Sequence, residues 1–105
     1  MQLSLARVYS GSGRGLEALR IAEPILEANP DYVRARAVAG EAAVVSNAIG
    51  RAEQILRDGR ARGADELQMA LLEARIARAR DDQLRARRAL EEAARLRAMQ
   101  LRASN

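Results

Sequence analysis

EANPDYVRARAVAGEAA, residues 27–43, carries the punctuation that decides the fold. A helical pattern stops at Asn29-Pro30 and another begins at Asp31. Proline has no N–H for a helix interior and drives the preceding residue out of the helical region. Working outward, other breakers fall at GSGRG (11–15), SN (46–47), RGAD (62–65) and RDD (80–82). They predict helices near 2–10, 15–28, 32–45, 48–62, 66–79 and 83–101. Asn47 can adopt the left-handed conformation that ends a helix, and Gly63 suits the position just past one. Asp65 and Asp82 suit N-caps, where a carboxylate accepts an orphan backbone N–H.

Composition agrees with an all-α chain. Of 105 residues, 49% are hydrophobic but only 2% aromatic, so Tyr9 and Tyr32 stand alone and the apolar mass is aliphatic. Alanine, leucine, arginine and glutamate dominate, all strong helix formers. The net charge is +4, and all 18 basic residues are arginine. Acidic residues are interspersed among them, which dilutes the positive charge. Without cysteine or histidine, no disulfide or thiol chemistry is possible, and the commonest general base and metal ligand is missing. No run is long and apolar enough to span a membrane. The start, MQLSLARVYS, lacks the basic then apolar regions of a signal peptide and reads like the middle of a helix. The chain is therefore expected to be a piece of a longer array.

The breakers have a period. Gly13, Asn47 and Asp81 are 34 residues apart. So are Ala6, Gly40 and Ala74; Ala18, Ala52 and Ala86; and Ala22, Leu56 and Leu90. A 34-residue period with two helices per unit resembles the tetratricopeptide repeat. The resemblance rests on Leu5-Ala6-x2-Tyr9, Ala18-x3-Ala22 and Pro30 in the first copy. Ala39-Gly40-x2-Ala43 with Ala52-x3-Leu56 carries the second, and Ala74-x2-Ala77 with Ala86-x3-Leu90 the third. It implies an α-solenoid of about three antiparallel helix pairs, with repeats near 1–31, 32–65 and 66–105. The large aromatic positions are mostly Ala, and Glu73 stands where an apolar residue is expected. Small columns should let the paired helices cross closely. Leu5, Leu19, Ile25, Leu26, Ile55, Leu56, Ile76 and Leu90 should fill the space between.

Chemistry finds little foothold. The acidic pairs Asp65-Glu66 and Asp81-Asp82 sit at helix starts, where they complement the dipole, and Glu91-Glu92 on an exposed face. GSGRG lacks the preceding strand and the following Lys-Ser or Lys-Thr of a phosphate loop. No catalytic residue, cofactor or metal site is expected, and the chain reads as a non-enzyme. Residues 73–97 are rich in arginine, which would attract phosphate. Acidic residues share the stretch and no aromatics interleave for base stacking, so nucleic acid is not the expected partner.

A repeat array of this family presents the first helix of each pair to a concave groove. Carried over by register, Leu3, Arg7 and Ser10 face it from repeat one. Arg34, Ala37, Glu41 and Val44 face it from repeat two, and Gln68, Leu71, Arg75 and Arg78 from repeat three. The binding residues expected are Arg7, Ser10, Arg34, Glu41, Val44, Gln68, Arg75 and Arg78. Arg7, Glu41 and Arg75 would form a ladder that meets an acidic group or pairs internally. Tyr9 and Tyr32 are expected to pack near the joints.

Two stretches narrow the resemblance. AEPILEANPDYVRARAVAGEAA (22–43) and ALLEARIARARDDQLRARRALEEAARLRAMQL (70–101) are similar to the repeat region of the outer-membrane cellulose export proteins of cellulose-producing bacteria. That resemblance implies a periplasmic scaffold ahead of an outer-membrane barrel. Its partners would be other cellulose synthase subunits or peptide segments, with glucan or peptidoglycan as further contacts. A general peptide-binding adaptor unrelated to cellulose, cytoplasmic or periplasmic, is the alternative, with an arginine-rich nucleic-acid-binding helical domain behind it. Exposed apolar ends would let the isolated piece self-associate.

Overall fold

The computed structural model describes residues 2–104. Six helices follow one another: α1 Gln2–Gly11, α2 Gly15–Ala28, α3 Val33–Val45, α4 Ile49–Ala61, α5 Glu66–Ala79 and α6 Gln83–Ala103. Among the described residues there is no strand. The local signals act where the sequence places them. Gly13, Asn47 and Asp81 all take positive φ, at 80°, 63° and 57°. At these three turns one hydrogen bond repeats in register. Arg14, Ala48 and Asp82 donate their N–H to the carbonyls of Tyr9, Ala43 and Ala77, at 2.7, 2.7 and 2.8 Å. Asp65 accepts the N–H of Gln68 at 3.0 Å, and Asp82 that of Arg85 at 3.1 Å.

Each helix packs on the next, and the first helices of successive pairs also pack, α1 on α3 and α3 on α5. Among the described residues α1 meets neither α5 nor α6, so the stack is open and not a closed bundle. Helix α3 lies at the centre. Ala35, Val38, Ala39, Ala42 and Ala43 are all buried, so most of its circumference is covered and only a strip that bears Arg34 and Glu41 stays open. Ala18, Ala22, Leu26, Ile55, Leu56, Met69, Leu72 and Ile76 complete one continuous core. Burying each large aliphatic side chain contributes about 1.5–3 kcal/mol.

The small columns work, with one change of partner. A Cβ on Gly40 would lie 2.7 Å from Leu72 Cδ2. The close approach is thus to α5 of the next pair, not to the second helix of its own pair as the register implied. At Gly15 a Cβ would stand 2.5 Å from the backbone nitrogen of Ser46, so α2 rests directly on the end of α3.

Two expected core residues are corrected. Leu5 is 46% exposed and Leu90 39% exposed. Leu90 shares its column with the buried Ala22 and Leu56, and Leu5 shares its column with the buried Ala39, but the two stand on the outer faces of the last and first pair. Helix α6 also runs to Ala103, beyond the expected 101. Its far half closes a small second cluster of Leu67, Ala70 and Ala93, with Leu71 and Leu96 against it.

Candidate functional site

The first helices of the three pairs line a groove of about 700 Å³. Arg7 reaches it from α1; Arg34, Ala37 and Glu41 from α3; Gln68 and Arg75 from α5. Five of the expected binding residues therefore converge: Arg7, Arg34, Glu41, Gln68 and Arg75. The column Ser10, Val44 and Arg78 does not. A position three residues on along a helix is rotated by about 60°, which turns this column away from Arg7, Glu41 and Arg75. Ser10 is buried, Val44 packs on the core, and Arg78 borders a recess on α6. Leu3 is likewise a core residue, and Leu71 packs into the α5–α6 cluster.

Sequence reasoning missed other groove residues. Asp31 and Asp65 enter from the starts of the first helices, and Tyr32, Val33 and Val38 give an apolar wall. Tyr32 is 43% exposed, which corrects the expectation that it packs at the joint. Tyr9 does pack against the core, with the Arg14 guanidinium 4.8 Å above its ring.

The charges in the groove are unequally engaged. Glu41 is held by Arg75, Nη1 to Oε1 3.1 Å. Asp65 serves as the N-cap of α5, and Asp31 lies 3.9 Å from Arg62 Nη1. Among the described residues Arg7 enters no ion pair, and Arg34 makes one 3.4 Å hydrogen bond to Ser4 Oγ. The groove thus keeps Glu41 and Asp65 occupied and offers two exposed guanidiniums beside a tyrosine ring. Glu41 joins the ladder with Arg75 alone.

Much of the remaining arginine is structural. Arg85 on α6 makes two parallel hydrogen bonds to Glu53 on α4, at 2.9 and 2.8 Å, and a third to Glu73 on α5 at 3.1 Å. Arg60 adds a 2.8 Å contact to Glu73, and Arg80 a 3.1 Å contact to Glu53. This network explains Glu73 at an apolar position: two arginines replace the packing. Hydrogen bonding from Arg85 holds the Glu53 carboxyl below its ordinary value. Burial pushes Glu73 up, but hydrogen bonds from Arg60 and Arg85 outweigh it and leave its carboxyl lowered too. Hydrogen bonding to Glu53 raises Arg85 in turn. In the arginine-rich stretch 73–97, Arg75, Arg80, Arg85 and Arg95 are all held by carboxylates.

Stacked helical hairpins with a groove along their first helices define an α-solenoid repeat protein. The chain belongs to the tetratricopeptide repeat family, which matches residues 3–76. Comparison with curated proteins and with solved structures found no match. Repeats of this family generally mediate protein–protein interactions, which fits a scaffold role. Among the described residues no helix is long and apolar enough to cross a membrane.

Proposed function

We propose that the chain is a non-enzymatic scaffold whose groove receives an extended acidic segment of a partner protein. The observation that carries this is the imbalance of engagement: Glu41 and Asp65 are held within the protein, while Arg7 and Arg34 pair with no carboxylate. An incoming carboxylate meets two exposed guanidiniums and lays its apolar part along Tyr32 and Val33. Each such contact at a half-exposed site contributes about 1 kcal/mol, or about fivefold in Kd.

Fluorescence anisotropy with a labelled glutamate-rich peptide, against a lysine-rich control, tests it. The acidic peptide should bind, and R7A/R34A should weaken it by roughly tenfold or more. Equal binding of both peptides, or no change in the double variant, contradicts the reading.

The setting proposed is the periplasm of a cellulose-producing bacterium, with other cellulose synthase subunits as partners. The likeness of residues 22–43 and 70–101 to cellulose export proteins supports it. A cellulose synthase catalytic subunit encoded beside this chain is the expected finding; its absence there, with a cytoplasmic location, would favour the general adaptor.

A further inference from the structure

The two ends of the stack carry the same columns that its interior buries. Val8 is 64% exposed on α1, whereas Ala42 and Ile76, one and two periods on, are both 0% exposed. Leu90 is 39% exposed on α6, whereas Leu56 and Ala22, one and two periods back, are 2% and 0% exposed. Around Leu90 lies a recess of about 590 Å³ lined by Ala86, Ala94, Arg87 and Glu91. By register it is the seat that α4 offers to α5, left without its helix.

Charge says what fits there. Inside the stack, Glu53 on α4 grips Arg85 on α6. One period on from Glu53 stands Arg87, and Arg85 belongs to the column that begins with Glu17. Placed as a fourth repeat, a second copy would bring its Glu17 to Arg87, the interior pair with its signs exchanged. Likewise the Arg60–Glu73 pair becomes Ala94 against Leu5, an apolar match for two residues that are now exposed. Arg7 of the incoming copy would fall beside Arg75, whose charge Glu41 already offsets.

We propose that a second copy of this chain docks head to tail, α1 and α2 of one molecule on α6 of the next, so that the interior interface continues between molecules. Such a contact uses different patches on the two partners and does not close on itself. The groove runs along the first helices, and Glu17 and Arg87 lie outside it, so E17R and R87E test this association separately from the peptide reading.

Sedimentation equilibrium of the chain tests it. The weight-average mass should rise with concentration above the 11.5 kDa of one chain without stopping at two. E17R and R87E each place like charges at the junction and should weaken association about tenfold or more. Mixed in equal amounts they restore opposite charges at every junction, and association should return. Both sites are surface positions, and circular dichroism should show helix content unchanged. A single-chain mass at every concentration, a mass that stops at two chains, or a mixture no heavier than its components would overturn the proposal.

Discussion

Arg36 occupies a column shared with Gln2 and Ala70, yet it is 2% exposed and sits in the middle of the fold. Its guanidinium donates to the carbonyls of Ile55 at 2.9 Å and Pro30 at 2.8 Å, and reaches Asp58 Oδ2 at 3.3 Å. Gly59 makes this possible: a Cβ there would stand 2.6 Å from Arg36 Cδ. The arginine thus ties the Asn29-Pro30 joint to the end of α4. R36A takes a donor from the carbonyls of Ile55 and Pro30 and opens a void, so it should cost about 2–4 kcal/mol. R36M refills most of the volume and should cost less than R36A. Thermal melts check both; equal melting temperatures for wild type and R36A would contradict the role. None of this was legible in the sequence, because the partners lie 6, 19 and 22 residues away. Asp65, Asp82 and Asn47 were legible because their partners are local.

At the scale of elements, the helices form where proline, glycine and asparagine delimit them, and period alone sets their pairing. The groove assignment shows how far register reaches. It placed Arg7, Glu41 and Arg75 together, since residues in one column repeat the same orientation. It failed for Ser10, Val44 and Arg78 because a straight helix turns that column toward the core and the neighbouring pair. Leu5 and Leu90 misled for another reason: a column predicts burial only where a neighbour exists on both sides. Helix α2 carries an internal cost. Pro24 lies well inside Gly15–Ala28, exposed, where it can donate no hydrogen bond to the turn before it. P24A should therefore stabilise the chain, by up to about 3 kcal/mol. A melting temperature lower than wild type would show that Pro24 instead fits a required bend.

Across the whole molecule, the first helices stack directly while the second helices diverge and are joined by ion pairs. Glu23 on α2 pairs with Arg51 on α4, and Glu53 on α4 with Arg85 on α6, although neither pair of helices packs backbone to backbone. These contacts span the outer surface of the curve. Glu53 and Glu73 ionise more readily in the folded chain than at their ordinary value of 4.5. The unfolded chain therefore takes up protons first as pH falls. The stabilisation from these groups is full above about pH 4.5 and is lost as pH drops through the lower folded values. The melting temperature should hold from neutral pH to about pH 5 and decline below that. E53Q should start lower at neutral pH and decline less; an identical slope in E53Q and wild type would remove Glu53 from the account.

The open stack is what both the groove and the exposed ends require. Isotope-filtered nuclear Overhauser spectroscopy on the R87E chain separates contacts within a molecule from those between molecules. Intramolecular cross-peaks should join α3 to α5, Gly40 to the Leu72 methyls first among them, and α1 to α3, with none between α1 and α6. An intramolecular cross-peak between Ala6 and Ala89 would mean a closed bundle and would contradict the open stack.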